Sequence, residues 1–246
     1  IADAENLTMQ VEYGEYLKTE EKGDTTSTED DNMIEVDTNT STETNVDYTA
    51  LEEEETIVDT VYLGNYGQEG EEGTKENPYK SITSAYKALK LQKSDGTRVT
   101  GRIIIMGTAE ISSWAMEEDS LDKNVIITGY DENSKIMIKD GTELFLDDTT
   151  ITDVNILLSK DNLSIYANGY NLVLGTEGNK ESLRIGEPDN IYYPDVYGGS
   201  STKTLSVDTN ITINSGRYRY IYGGSNKQAI SGNTNVNVNF AIAEQS

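Results

Sequence analysis

The 246-residue chain has no cysteine and no histidine, and only 3 prolines, 1 tryptophan and 2 phenylalanines. Without cysteine there is no disulfide framework, no thiolate nucleophile, no iron–sulfur cluster and no sulfur-ligated zinc. Without histidine there is no imidazole base, so Ser-His-Asp and Cys-His catalysis are excluded and the commonest metal ligand is missing. Positive charge is scarce as well: 19 Lys and Arg stand against 44 Asp and Glu, a formal net charge of −25. Such a chain repels phosphate backbones and anionic lipid, which argues against nucleic acid and membrane surfaces as partners. No apolar run approaches the roughly 18–20 residues that cross a bilayer. Any chemistry falls to Asp, Glu, Lys, Arg, Tyr, Ser or Thr. The length suffices for one large domain or two small ones.

The acid is unevenly spread. Residues 1–56 hold 18 acids and 2 lysines, a net −16, while residues 57–246 hold 26 acids and 17 bases, a net −9. The first stretch is rich in Thr, as in Thr25-Thr26-Ser27-Thr28, and closes on Glu52-Glu53-Glu54-Glu55. It has too few apolar residues to offset the entropy of ordering, so it reads as a disordered or extended spacer. Only Leu7, Met9, Val11 and Tyr13 alternate as a strand would. A solubilising linker is favoured over a calcium-collecting stalk.

Order is expected from about Ile57. Val61-Tyr62-Leu63 reads as a short strand, followed by a glycine-rich loop. In 81–91, Ile82, Ala85, Tyr86 and Leu89 stand at i, i+3, i+4 and i+7, one face of an amphipathic helix within an N-terminal cap at 57–101. From 102 to 246 the sequence becomes short apolar runs: RIIIM at Arg102–Met106, NVIIT at Asn124–Thr128, KIMIK at Lys135–Lys139, ELFL at Glu143–Leu146, DVNILL at Asp153–Leu158, LSIY at Leu163–Tyr166, NLVL at Asn171–Leu174 and SLRI at Ser182–Ile185. Gly, Asn and Asp punctuate them. Hairpin meanders are one reading, and Asn168-Gly169 is a type I′ turn signal.

A repeat decides against them. Val196-Tyr197-Gly198-Gly199-Ser200 returns as Ile221-Tyr222-Gly223-Gly224-Ser225, and Thr209–Asn214 (TNITIN) returns as Thr234–Asn239 (TNVNVN). Both offsets are 25 residues, so residues 196–240 carry a repeat. A helix-free unit of that length fits one coil of a parallel β-helix, stacked on the last at about 4.7–4.9 Å. Ile211 and Ile213 would then face inward, with Val236 and Val238 on the same columns, while Thr212 and Asn214 point outward. Asn210 over Asn235 and Asn214 over Asn239 would form amide ladders.

The segments Thr60–Gly64, Asn77–Ile82 and Gly101–Thr108, with the helix between, resemble the opening cap of pectin-lyase-like proteins. Val125–Tyr130 is similar to a turn of their coils, and the Asn-Ile-Thr-Ile-Asn and Ile-Tyr-Gly-Gly-Ser units resemble repeats of adhesin-like cell-surface proteins of gut Firmicutes. The resemblance covers about residues 57–240. It implies an all-β fold, a right-handed, single-stranded parallel β-helix (a solenoid) with an N-terminal capping helix. It also implies a secreted or cell-surface, extracellular location. The superfamily includes polysaccharide lyases, hydrolases and non-catalytic adhesins, so fold alone does not choose among them.

Acid–base catalysis on this fold needs carboxylates, or a carboxylate and a cation, converging within a few ångströms. Asp147, Asp148 and Asp153, Asp131-Glu132, and Glu187 with Asp189 are the acidic groups on offer. Turn positions explain Asp131-Glu132 and Asp147-Asp148 without catalysis. Asp147, Asp148 and Asp153 are the candidates for a metal, calcium, and no loop matches a known calcium pattern. No other cofactor is expected.

The 16 tyrosines are more informative. Tyr192, Tyr193, Arg217, Tyr218, Arg219 and Tyr220 cluster late, and exposed Tyr beside Arg is the composition of a recognition surface. On a strand the Arg pair and the Tyr pair would take opposite sides. Tyr197 and Tyr222 are expected to stack coil on coil, and Trp114 to anchor a loop or lid the core. The resulting expectation is a non-catalytic binding or display module whose partner is a host glycoprotein, an immunoglobulin or a polysaccharide. A carbohydrate-active enzyme and a passive stalk are the alternatives. The repeat is still open at Asn239-Phe240, which leads to the expectation of a longer protein or of pairing through that end.

Overall fold

The computed structural model describes residues 57–66, 72–111, 124–139, 147–186 and 190–239. The acidic tract 1–56, Trp114, the run Glu143–Leu146, Glu187, Asp189 and Phe240 lie outside the described residues.

In chain order the elements begin with β1 (Thr60–Gly64), helix α1 (Ile82–Ala88), β2 (Gly101–Met106), β3 (Thr108–Ile111), β4 (Asn124–Gly129) and β5 (Lys135–Ile138). Then come β6 (Asp148–Thr152), β7 (Val154–Leu158), β8 (Ser164–Tyr166), β9 (Asn171–Leu174) and β10 (Leu183–Ile185). The last are β11 (Asp195–Tyr197), β12 (Thr209–Ile213), β13 (Tyr220–Tyr222) and β14 (Thr234–Val238). They form a seven-stranded sheet in the order β1-β2-β4-β6-β9-β12-β14, a four-stranded sheet β10-β7-β5-β3 and a three-stranded sheet β13-β11-β8. Every strand pair in them is parallel. From β2 onward successive strands of the chain therefore go to different sheets, and the seven-stranded sheet grows by one strand per circuit. This is the arrangement compatible with stacked coils.

The Asn168-Gly169 signal is a turn, with φ of 58° and 92°, but it joins β8 to β9 in different sheets and so makes a corner. A hairpin would have required antiparallel neighbours.

Register explains why such short runs suffice. Val61, Ile103, Ile127, Ile151, Leu174, Ile213 and Val238 are consecutive partners across all seven strands, one aliphatic column running the length of the sheet. Val125, Thr149, Leu172, Ile211 and Val236 form a second column. All of these but the two β14 valines are buried. Each such aliphatic residue removed from water stabilises by about 1.5–3 kcal/mol, so a three- or five-residue strand holds through its neighbours and not through its length.

Helix α1 is shorter than its apolar stripe predicts. The Ser81 hydroxyl accepts from the Ser84 N–H at 3.0 Å and caps its start. Ile82, Ala85 and Tyr86 face the core. It stops at Leu89, which is extended at φ −66°, ψ 120°, because Lys90 exchanges both backbone bonds with Val58 at 3.1 and 2.9 Å. A β-bridge takes the last turn that 81–91 would have had.

The coils are unequal early and equal late. Arg102, Ile126, Thr150, Val173, Thr212 and Asn237 are successive partners, in steps of 24, 24, 23, 39 and 25 residues. The 25-residue step is shared by β11 with β13 and by the Leu205–Ile230 bridge. Asn235 Nδ2 donates to Asn210 Oδ1, and Asn239 Nδ2 to Asn214 Oδ1, each at 2.9 Å. Asn214 itself is buried rather than outward, because it sits at the corner after β12 and its amide turns in to the Gly175 carbonyl at 3.0 Å.

Candidate contact groove

Corners between the seven-stranded and four-stranded sheets alternate in length. Gly107 alone turns the chain from β2 to β3, and Asp153 alone, at φ 52°, turns it from β6 to β7. Between them Tyr130–Ser134 makes a longer corner, and Gly175–Ser182 makes one in the coil after. Ser182 braces the latter: its hydroxyl accepts from Thr176 N–H and donates to the Asn179 carbonyl, both at 2.7 Å. It also lies 3.0 Å from the Ser215 hydroxyl of the next coil. The two long corners therefore stand out around the one-residue corner at Asp153.

The four-stranded sheet then stops. After β12, residues 214–219 add no strand over β10. Tyr218 in this segment packs partly buried against the core and donates to the Ser215 carbonyl at 2.7 Å, and burial pushes its hydroxyl pKa far above the usual tyrosine range. Gly216, at φ 101°, makes this possible, since a Cβ there would come within 2.5 Å of the Tyr218 hydroxyl. With Tyr218 turned in, Arg217 turns out.

A groove of about 560 Å³ results, with Lys180, Glu181, Arg184, Ile191, Tyr193 and Arg217 in its lining. Arg184 points outward because Leu183 and Ile185, its strand neighbours, fill the core. Its Nη2 donates to the Glu132 carbonyl at 2.6 Å, which fixes the guanidinium across two coils. Among the described residues of its lining three cations, Lys180, Arg184 and Arg217, stand against one carboxylate, Glu181, in a chain of net −25. Glu181 and Arg184 also belong to a neighbouring notch of about 360 Å³, where they meet Tyr130, Asp131, Glu132 and Asp153.

The six aromatic and cationic residues picked out by sequence separate. Tyr193 and Arg217 line the groove together. Tyr192 is exposed but not part of its lining. Tyr218 is partly buried against the core, and Tyr220 is exposed next to Tyr222 with ring centroids 6.0 Å apart. The two tyrosines do not share a side, because the strand begins only at Tyr220. Arg219 is tied down: its Nε and Nη2 grip the Asp195 carboxylate at 2.7 Å each, and Nη1 reaches Asn162. Those charge-assisted bonds raise its pKa further. Asp195 belongs to the Tyr166, Tyr197 and Tyr222 face, where the rings stack at 5.0 and 4.8 Å. Burial, then Asp195, raises the Tyr197 pKa.

The acidic candidates also separate. Asp148 opens β6 and holds Asn171 of the next coil through both its backbone and side-chain nitrogens at 2.8 Å, while Asp153 follows the other end of that strand. Five residues of strand put them about 16 Å apart. Asp147 is buried. Among the described residues no group of three or more Asp or Glu is placed to hold a metal ion. Asp131 accepts from Asn133 N–H at 3.0 Å and from the Ser134 hydroxyl at 3.1 Å, the turn role its position predicts.

Sequence reasoning missed Lys180, Arg184 and Ile191. Arg184 was the one outward position in the Leu-Arg-Ile run, but nothing in the sequence shows that the next coil leaves that face uncovered. Among the described residues no helix is long and apolar enough to cross a membrane. Comparison with family models, with curated proteins and with solved structures gives no match.

Proposed function

We propose that this chain is a right-handed parallel β-helix of pectin-lyase-like type that acts as a secreted or cell-surface, adhesin-like binding and display module. The observation that carries the reading is the groove where Tyr193 and Arg217 meet Arg184 and Lys180. A tyrosine ring beside guanidinium and ammonium groups suits a sugar ring bearing a carboxylate: the ring stacks, and the planar guanidinium pairs with the acid. The ligand class is thus an acidic saccharide, carried on a host glycoprotein or in a polysaccharide. The test is a glycan and serum-protein array probed with the whole chain and with an R184A/R217A variant. Acidic glycans should bind, neutral ones should not, and each lost arginine should weaken binding about tenfold. Equal binding by the variant would refute the groove, and no binding at all would favour the passive stalk.

One observation supports the enzyme reading. Asp131, Glu132, Asp153 and Glu181, from three successive corners, share the 360 Å³ notch with Tyr130 and Arg184. Paired carboxylates beside a sugar-binding groove are what glycoside hydrolysis requires. Release of reducing ends from an acidic polysaccharide, lost in D153N and E181Q, would establish it. Intact polysaccharide after prolonged incubation would leave the binding module.

A further inference from the structure

We infer that the groove selects an acidic sugar that carries an N-acyl group, with the free edge of β10 binding the amide and Ile191 reading the acyl chain. The inference rests on the acidic-saccharide reading of the groove and narrows it. It starts from the backbone. Asn155 N–H turns to the Ser134 carbonyl at 3.1 Å, and Gly186 N–H donates to the Ile156 carbonyl at 2.9 Å, so β10 bonds β7 through Arg184 and Gly186. The N–H and C=O of Leu183 and Ile185 then point the other way, where residues 214–219 add no strand. Among the described residues none bonds them. The side chains of Leu183 and Ile185 are in the core, so it is this backbone that brings both residues into the lining of the groove. Open peptide groups of this kind favour a ligand that supplies the missing partners.

Side chains around that edge specify the rest. Arg184 gives one N–H to the Glu132 carbonyl, and Arg217 is exposed with no partner among the described residues, so guanidinium N–H groups remain for a carboxylate. Ile191 is 70% exposed, more than any other large apolar side chain described. Ile191 and Tyr193 both line the groove, while Tyr192 between them does not. A Cβ on Gly186 would stand 3.6 Å from Tyr193 Cε1, which sets that ring beside the end of β10. A uronic acid would meet the arginines and leave the backbone edge and Ile191 in water. An N-acylated sugar acid engages all of them: carboxylate on guanidinium, amide on the open edge, acyl chain on Ile191 and sugar ring on Tyr193. An acidic peptide fits less well, because two open residues pair one amide and not a strand. The carboxylate and the amide can share one ring, as in a sialic acid, or stand on adjoining rings, as in hyaluronan.

The test is titration calorimetry of the full chain with the methyl α-glycoside of N-acetylneuraminic acid, a hyaluronan tetrasaccharide and a galacturonic acid trimer. At least one N-acyl probe should bind about tenfold tighter than the galacturonate, and which of them does so tells whether acid and amide share a ring. In saturation-transfer NMR its acyl methyl should take up the strongest signal. Replacing its N-acetyl by N-propanoyl should tighten binding about threefold. That gain should vanish in Ile191→Ser, at a site exposed enough to leave the circular dichroism spectrum intact, and persist in Ile191→Leu. Galacturonate binding as tight as both N-acyl probes, or an unchanged propanoyl gain in Ile191→Ser, overturns the inference and leaves the acidic-saccharide reading standing. No binding of any acidic sugar sinks both. Tighter binding of an acidic peptide than of either N-acyl probe overturns it as well, in favour of strand addition at β10.

Discussion

The early coils, from β1 to β7, and the last two circuits, around β11 to β14, are joined in different ways. Early coils differ in length, carry projecting corners, and are held by buried aliphatic columns under a helical cap. Late coils keep one 25-residue step and add amide ladders, a three-ring tyrosine stack and the Arg219–Asp195 pair. Charge divides the same way: residues 195–239 have Lys203, Arg217, Arg219 and Lys227 against Asp195 and Asp208, in a chain that is otherwise strongly acidic. The lesson is that visible sequence repetition marks where coils are cut to one length, not where the core is best. The strongest core lies where the repeat is hardest to see, and the groove lies at the junction, where the four-stranded sheet ends on β10.

The largest expected effect is in the early core. Ile127→Ala, in the middle of the long aliphatic column and 1% exposed, should cost about 3–4 kcal/mol in denaturant unfolding. Val238→Ala, in the same column at its open end, should change stability by less than about 0.5 kcal/mol. Similar losses at both would erase the distinction between closed and open ends.

Next in size is the polar joinery of the late coils. Asn214→Ala removes the bond to the Gly175 carbonyl and should cost about 1–2 kcal/mol, since it leaves a buried carbonyl without its donor. Asn235→Ala, on the exposed rung, should be nearly silent. Arg219→Ala should lower Tm more than Lys139→Ala, because Arg219 grips a mostly buried carboxylate with two bonds, whereas Lys139 and Glu110 are both about half exposed. Arg219→Lys should not restore it, since a single ammonium does not reproduce the fork.

A pH effect tests whether the Tyr218 hydroxyl is held out of water. Burial raises its folded pKa above the unfolded value near 10, so the neutral form is favoured in the fold. The associated stability is fully present below about pH 10 and is lost as pH rises above it, because the unfolded chain then releases a proton the folded chain keeps. From pH 10 to 11 this one group contributes a decline of about 1 kcal/mol, and the slope approaches about 1.4 kcal/mol per pH unit above that. Tyr218→Phe should unfold with a slope shallower by that amount in denaturant titrations. An unchanged slope would mean the ring is solvated.

How far the sequence reached follows the same physics. The 25-residue offset foretold the pairing of β12 with β14 residue by residue, because translation of identical coils leaves no freedom of register. The Tyr197–Tyr222 stack was legible for the same reason, and Tyr166 was not, since its offset to Tyr197 is 31 residues across unequal loops. The Arg217–Tyr220 segment misled because alternation was read as strand; Gly216 breaks the pattern and sends Tyr218 inward. The groove was half legible: its aromatic and one cation come from a visible cluster, while Lys180 and Arg184 reach it from a coil whose neighbour is missing only in three dimensions.

The central claim is that coils stack in parallel, the last two with a 25-residue step, and the absence of cysteine makes that step directly measurable. Cysteines at Asn210 and Asn235 would have Cα atoms about 4.8 Å apart, within disulfide range. At Asn210 and Asn237 they would be about 8 Å apart, beyond it. Mild oxidation followed by peptide mapping should give a near-complete cross-link in N210C/N235C and almost none in N210C/N237C. Equal cross-linking in the two, or preference for the second, would contradict the parallel coil register.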